Sequence, residues 1–300
     1  MAEQLDLVAT VRALGDGSVA FEGSRDVISI QGPDAASYLQ GQISQDIEKL
    51  AIGQSVWSLV LQPQGKVDGW FRVARLAEDT YQLDIDQGSG AAVLARLQRF
   101  MLRTDAVLSL ETEPWLAVRG PASEPPANVI ALATPTATMS GYDLLGADAA
   151  HPSAVPIGHS DAYEALRIRQ GIPVHGKELT EKTIPAEAGI VEQSVSFTKG
   201  CYVGQELVAR IDSRGNNTPR NLAGLIVSTA GSGEQLLLGP GAILEVEGKT
   251  VGHVTSAAPS PEFGAIGLAY IARGTDVPGP ATVTLADGST ADAQLVALPF

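Results

Sequence analysis

"DVISIQGPDAASYLQGQ", Asp26 to Gln42, changes its pattern halfway. Val27, Ile28 and Ile30 form the apolar alternation of a strand. Gly32, Pro33 and Asp34 then open a helix, with Pro early and Asp near its positive end. Ala35, Ala36, Tyr38 and Leu39 supply the buried face, and Gly41 is expected to end it. A partial echo follows about 90 residues later, where "PWLAVRGPAS" (Pro114 to Ser123) again runs strand, polar residue, Gly-Pro, small residues. The second copy enters "SEPPAN" instead of a helix. Two related α+β units are expected from this.

The rest of the chain extends that reading. "SVWSLVLQPQGKVDGWFRVARL" (Ser55 to Leu76) predicts two strands around a turn at Pro63 to Gly65, and "TYQLDID" predicts another. "GAAVLARLQRFML" (Gly90 to Leu102) predicts an amphipathic helix. "SDAYEALRIRQG" (Ser160 to Gly171) predicts a second, capped by Ser160 and stopped by Gly171. Beyond Arg220 the texture changes to short strands with glycine turns, such as "GAIGLAYIA", which predicts a small barrel or sandwich. Three units follow: α+β over 1–112, α+β over 113–216, and a β-barrel over 217–300, with the last boundary in the turn-forming "SRGNNTPRN".

Composition bounds the function. A chain of 300 residues with 44% apolar residues exceeds one ordinary core. Net charge is −14, which gives no global attraction to nucleic acid or to an anionic membrane. No apolar run approaches the roughly 20 residues that span a bilayer. "MAEQLDLVAT" lacks the basic end and apolar stretch of a signal peptide, and a single cysteine suits a reducing cytosol.

That cysteine, Cys201, stands in "KGCYVGQE" (Lys199 to Glu206). Gly204 can precede a helix beginning "QELVARI", which puts the thiol in the loop entering it. A free cysteine is either a buried packing residue or a reactive thiol. Lys199 and a helix start both favour the thiolate, and glycines at 200 and 204 are unlike a simple core setting. Lys199 is in turn either a modulator of the thiol or ligand, or an exposed turn lysine. One cysteine and the scattered His151, His159, His175 and His253 make a poor metal site, so none is expected. A Cys–His hydrolase would need His175 beside Cys201. Walker-type and dinucleotide glycine motifs are absent.

"KGCYVGQE" resembles the signature of the YgfZ-type folate-binding proteins, relatives of the glycine-cleavage T-protein, a tetrahydrofolate-dependent aminomethyltransferase. "GPDAASYLQGQISQDIEKLAIGQ", "LRIRQGIPVHGKELTEKTIPAEAG" and "GHVTSAAPSPEFGAIGLAYI" resemble the opening, middle and final segments of that family. The resemblance implies a three-domain ring of two α+β domains and a β-barrel around a central folate pocket. It implies a cytoplasmic accessory protein for assembly or repair of iron–sulfur enzymes, tRNA-modifying ones among the possible clients, with no direct nucleic-acid partner. The ligand is tetrahydrofolate or a derivative. Cys201 is the implied reactive group and Lys199 its modulator. The implied folate-contacting residues are Asp68, Trp70, Arg169, Gly200, Tyr202, Gly204, Gln205 and Glu206. Two departures separate this chain from the T-protein. In "QGKVDGWFRV", Asp68 is displaced from the place of the T-protein aspartate, and in "LRIRQG", Arg169 stands where the T-protein has a pterin-contacting glutamate. A tetrahydrofolate-dependent aminomethyl- or methyltransferase, and a thiol redox or scaffold protein with a vestigial pocket, are the competing readings.

Overall fold

The structure, a computed structural model, describes residues 3–126, 129–136, 138–146, 149, 152, 154–215, 217–227 and 238–300. His151, Asn216 and parts of the segments "SEPPAN" and "NLAGLIVST" lie outside the described residues.

One antiparallel sheet organises the first half. β1 (Val19–Gln31), β2 (Ser55–Leu61), β3 (Val67–Ala77), β4 (Thr80–Asp86), β5 (Val107–Arg119) and β6 (Gly141–Leu145) are ordered β2-β3-β4-β1-β5-β6. α1 (Leu7–Asp16), α2 (Ala35–Gln42) and α3 (Gly90–Gln98) accompany it, and Asp26 accepts hydrogen bonds from the Gly88 and Gly90 N–H groups at the entry to α3. Ile28, Ile30, Phe71, Val73, Leu83 and Ile85 form a core with the apolar faces of α2 and α3. α4 (Ser160–Arg169), α5 (Val191–Ser194) and α6 (Gln205–Asp212) follow. β7 (Arg220–Val227) through β12 (Thr290–Val296) close a six-stranded barrel with its own aliphatic core. The second half of β1 and the hairpin agree with the sequence reading, whereas α1 was not anticipated.

The repeated Gly-Pro has a geometric meaning. β1 and β5 pair along their full length, Val19 opposite Arg119 and Gln31 opposite Val107, about a pseudo-two-fold at Arg25 and Glu113. Gly32 ends β1 with φ 145° against the Asp105 carbonyl, just before β5. Gly120 ends β5 with φ 119° against the Gly17 carbonyl, just before β1. A Cβ would come within 2.4 Å of the first oxygen and 2.1 Å of the second, so both positions require glycine. The two echoes are therefore neighbouring strands of one sheet. The expected boundary at 112/113 falls inside β5, which runs through it unbroken.

The sheet is strongly curled. Four strand spacings separate β3 from β6, about 19 Å in a flat sheet. Yet Arg72 on β3 bonds both to Asp143 on β6 and to the Ala133 carbonyl. Trp57 of β2 likewise donates to the Thr134 carbonyl. Arg72 also grips Asp84 with two parallel hydrogen bonds of 2.8 and 2.9 Å. Arg25 bridges Asp84 and Asp86, and Arg119 reaches Asp143 at ion-pair distance without hydrogen-bond alignment. Three arginines thus balance three aspartates in the interior. Burial raises the carboxyl pKa of Asp86 and Asp143, but Arg25 outweighs it at Asp86, as Arg119 and Arg72 do at Asp143, so both lie below the usual range.

Replacing Asp143 with Ala leaves the buried Arg119 without a carboxylate and takes one of two from Arg72, and urea unfolding should show a loss of about 3–5 kcal/mol. Because these folded-state pKa values are depressed, their stabilisation is complete above about pH 4 and lost as pH falls through them. Stability measured from pH 7 downward should therefore hold to about pH 4–5 and then fall, more shallowly in the Asp143 variant.

Candidate functional site

The loop carrying the lone thiol is anchored on both sides. Lys199 Nζ donates to the carbonyls of Gln40, Ile43 and Gln45 at 2.7, 2.7 and 3.0 Å. Gln40 belongs to the last turn of α2, whose carbonyls have no intrahelical partner, so the ammonium finishes that helix. Helix α2 runs to Gln42, past the stop expected at Gly41. Burial lowers the Lys199 pKa to about 8, against the upward pull of Asp46 and Glu48. All three donors are spent on carbonyls, which makes Lys199 a clamp.

Tyr202 anchors the other flank. It is buried with Trp57, Trp70 and Val208, and burial pushes its hydroxyl up to about 12. Gln205 Oε1 accepts from the Tyr202 N–H at the start of α6. Gly204 takes φ 85°, and a Cβ there would stand 2.5 Å from the Gln62 carbonyl oxygen. Opposite it, Gly65 takes φ 73°, and a Cβ would stand 2.7 Å from Leu207 Cβ. The entry to α6 is thus seated on the β2–β3 turn by two facing glycines. Gly200 meets no neighbouring atom within 4 Å. Between these anchors Cys201 is exposed, as is Glu206.

Several expected residues lie elsewhere. The β2–β3 register shifts between Val60 and Leu61, opposite the stretch from Val67 to Gly69. Val67 and Trp70 consequently share one core although three positions apart. Asp68 faces α3 instead and pairs with Arg96 at 3.3 Å. Trp70 is 3% exposed, stacks on Trp57 at 4.2 Å, and donates from Nε1 to Ser194 Oγ. Arg169 pairs with Glu262, donates to the Phe300 carbonyl and lies over the Phe263 ring. It ties α4 to the barrel and the C-terminal residue. His175 Nε2 accepts from the Trp70 N–H at 3.0 Å, and the His175 N–H donates to Asp86. Burial lowers its pKa, outweighing Asp86. The ring is committed to the β3 backbone, with no contact to Cys201 to form a Cys–His pair.

A cavity of about 600 Å³ opens between the α+β body and the barrel. Gln170, Ile172, Ile190 and Glu192 line one side, Asn221 and Arg273 the other. Thr136 and Thr138 hydroxyls donate to Gln170 Oε1. Ile172 and Ile190 also pack into the cluster of Trp57 and Trp70, so Trp70 lies one layer behind the wall. None of the candidate residues Asp68, Trp70, Arg169 and 199–206 lines this cavity. The structure therefore separates two features, a displayed thiol and an interdomain cavity. Sequence reasoning missed Glu192 and Arg273; neither sits in a motif, and only the meeting of distant segments exposes them.

The two motif glycines should respond differently to alanine. Gly204→Ala forces a side chain into a left-handed backbone and onto a carbonyl, and should cost about 1–3 kcal/mol in urea unfolding. Gly200→Ala meets open space and should be neutral or stabilising by up to about 1 kcal/mol. Native protein should titrate one thiol with an aromatic disulfide reagent without denaturant; no reaction until unfolding would contradict the exposed position of Cys201.

Comparisons with known proteins agree with this architecture. Residues 24–138 match the GCVT N-terminal domain, and residues 220–300 match the glycine cleavage T-protein C-terminal barrel domain. An uncharacterised protein of Haemophilus influenzae is 28% identical over 196 residues, covering 64% of this chain and 67% of that protein. An aminomethyltransferase of Streptomyces avermitilis is 29% identical over 316 residues, covering 91% and 83%. One of Rubrobacter xylanophilus is 28% identical over 310 residues, covering 91% and 80%. The crystal structure of glycine cleavage system aminomethyltransferase T from Bartonella henselae superposes with a TM-score of 0.78 at 20% identity, over 98% of this chain and 89% of that one, a likeness of fold. The barrel match begins at Arg220, where β7 begins, and the first match covers β2, β3, β4, β5 and most of β1. By sequence and by fold, the chain belongs to the glycine-cleavage T-protein superfamily.

Proposed function

We propose that this chain is a folate-binding accessory protein supporting the assembly or repair of iron–sulfur enzymes, with Cys201 as its reactive group. The observation that carries the reading is the exposed lone thiol, held by Lys199, Tyr202 and Gly204 on a T-protein scaffold. A thiol without a neighbouring cysteine remains available to a partner, since it has no second sulfur to close on. Partners of this kind are iron–sulfur proteins or their assembly machinery, tRNA-modifying enzymes among them. A free thiol suits a reducing compartment, and we place the protein in the cytosol. No helix among the described residues is long and apolar enough to cross a membrane, and the net charge of −14 argues against direct nucleic-acid binding.

The interdomain cavity fits a reduced folate. About 600 Å³ lies within the range of small-molecule sites, and its amide, hydroxyl and charged groups alternate with aliphatic walls. Gln170, Glu192, Asn221 and Arg273 would hold the ligand, whose N5 and N10 atoms carry one-carbon units. The superfamily, two of whose members named above are aminomethyltransferases, favours a second reading as a tetrahydrofolate-dependent transferase. That reaction needs a placed carboxylate for proton transfer. Asp68 is turned to α3 and neutralised by Arg96, and Gly69 and Trp70 follow it, which weighs against transfer.

Calorimetry should give a micromolar dissociation constant for tetrahydrofolate, about 8 kcal/mol. No heat and no thermal shift at millimolar ligand would remove folate from the proposal. Cys201→Ser should remain folded, bind folate as before, and fail to sustain iron–sulfur enzyme activity in cells lacking the natural protein. Full complementation by the serine variant would reduce Cys201 to a surface residue. Purified protein should release no ammonia from an aminomethylated carrier protein; robust tetrahydrofolate-dependent release would favour the transferase.

A further inference from the structure

Charged groups at the junction of body and barrel are almost all consumed by one another. Arg169 is taken by Glu262, Arg220 by Glu187, and Glu178 by Arg167 and Ser256. Two side chains lining the cavity are exceptions. Glu192, on α5, and Arg273, just past the end of β10 (Gly264–Ala272), are exposed at the cavity and make no side-chain hydrogen bond or ion pair among the described residues. One is an anion on the body and the other a cation on the barrel, and the other residues lining the cavity are neutral.

We infer that Glu192 and Arg273 are the two specificity-determining poles of this cavity, the first for a ligand edge with paired N–H donors and the second for a ligand carboxylate. The inference rests on the folate reading above and assigns its orientation. A carboxylate offers two coplanar acceptors, which match the adjacent 2-amino and N3–H donors of a reduced pterin. A guanidinium offers the complementary fork to a carboxylate of the glutamate tail. Arg169 cannot serve the pterin edge, being a cation already bound to Glu262 and the Phe300 carbonyl. The acid missing from α4 is supplied from α5. Because the poles sit on different bodies, a ligand carrying both groups bridges body and barrel, and a fragment carrying one engages a single side.

The test is a titration of the full chain with three probes: tetrahydrofolate, 6-methyltetrahydropterin and p-aminobenzoylglutamate, the two fragments read by displacement of tetrahydrofolate at millimolar concentration. Glu192→Gln should weaken tetrahydrofolate and the pterin about tenfold or more, the loss expected for one charge-assisted contact, and leave p-aminobenzoylglutamate unchanged. Arg273→Gln should weaken tetrahydrofolate and p-aminobenzoylglutamate about three- to tenfold, spare the pterin, and flatten the salt dependence of binding. Both variants binding tetrahydrofolate like the natural protein would overturn this assignment while leaving the folate reading intact. Equal loss of all probes in either variant, or failure of a fragment to displace, would also overturn it. No binding of tetrahydrofolate to the natural protein would remove both.

Discussion

Arg72 holds a curled sheet closed. Its guanidinium, 1% exposed, joins Asp84 on β4 to Asp143 on β6 and to the backbone at Ala133. A flat sheet would keep those strands well beyond the reach of any side chain. The curl is therefore enforced by a charge that has nowhere else to go, since an unpaired guanidinium in this interior would cost several kcal/mol. Arg25 and Arg119 extend the same constraint along β1 and β5. The pairing leaves few alternatives: shifting a strand by one residue would turn its ionic groups into the aliphatic core around α2 and α3.

The displayed thiol inherits its position from this arrangement. Arg72 lies on β3, and the turn joining β2 to β3 receives Gly204 at the start of α6. Lys199 fastens the preceding residues to the end of α2, on the same side of the sheet's aliphatic core. The loop is thus referenced to three separate elements, although it makes little structure of its own. Rigid placement of a short exposed segment is what encounter with a macromolecular partner asks for, because little ordering entropy remains to be lost on contact.

Local patterns were legible in the sequence, and long-range ones were not. The apolar alternation after Asp26 marked the second half of β1, while the polar Glu22, Gly23, Ser24 and Arg25 concealed its middle, where the half-buried Arg25 is held by Asp84 and Asp86. The amphipathic spacing of Leu7, Val11 and Leu14 carried a signal for α1 that the unremarkable N-terminal composition masks. The Gly-Pro echo suggested repetition without revealing that its copies pair with each other, and so placed a boundary inside β5. At the site, the glycine-led start of α6 could be read from "KGCYVGQE". The partners of Lys199 lie more than 150 positions away, the bulge at Val67 to Gly69 redirects Asp68, and Arg169 answers to the C-terminal residue. No local pattern encodes those choices.

Glu178 gives the barrel a different status from that of a separable module. It is 0% exposed; its Oε1 accepts from Ser256 of the barrel strand β9 (Lys249–Ser260), Oε2 faces Arg167, and its backbone carbonyl accepts from Tyr270. One carboxylate and one carbonyl from the body thereby complete hydrogen bonds that belong to the barrel's own strands. Such a joint couples the stability of the body to that of the barrel, because opening the seam strands a buried carboxylate. A barrel severed near residue 217 would therefore leave behind, in "GKEL", the acceptors that its Ser256 and Tyr270 hydroxyls use.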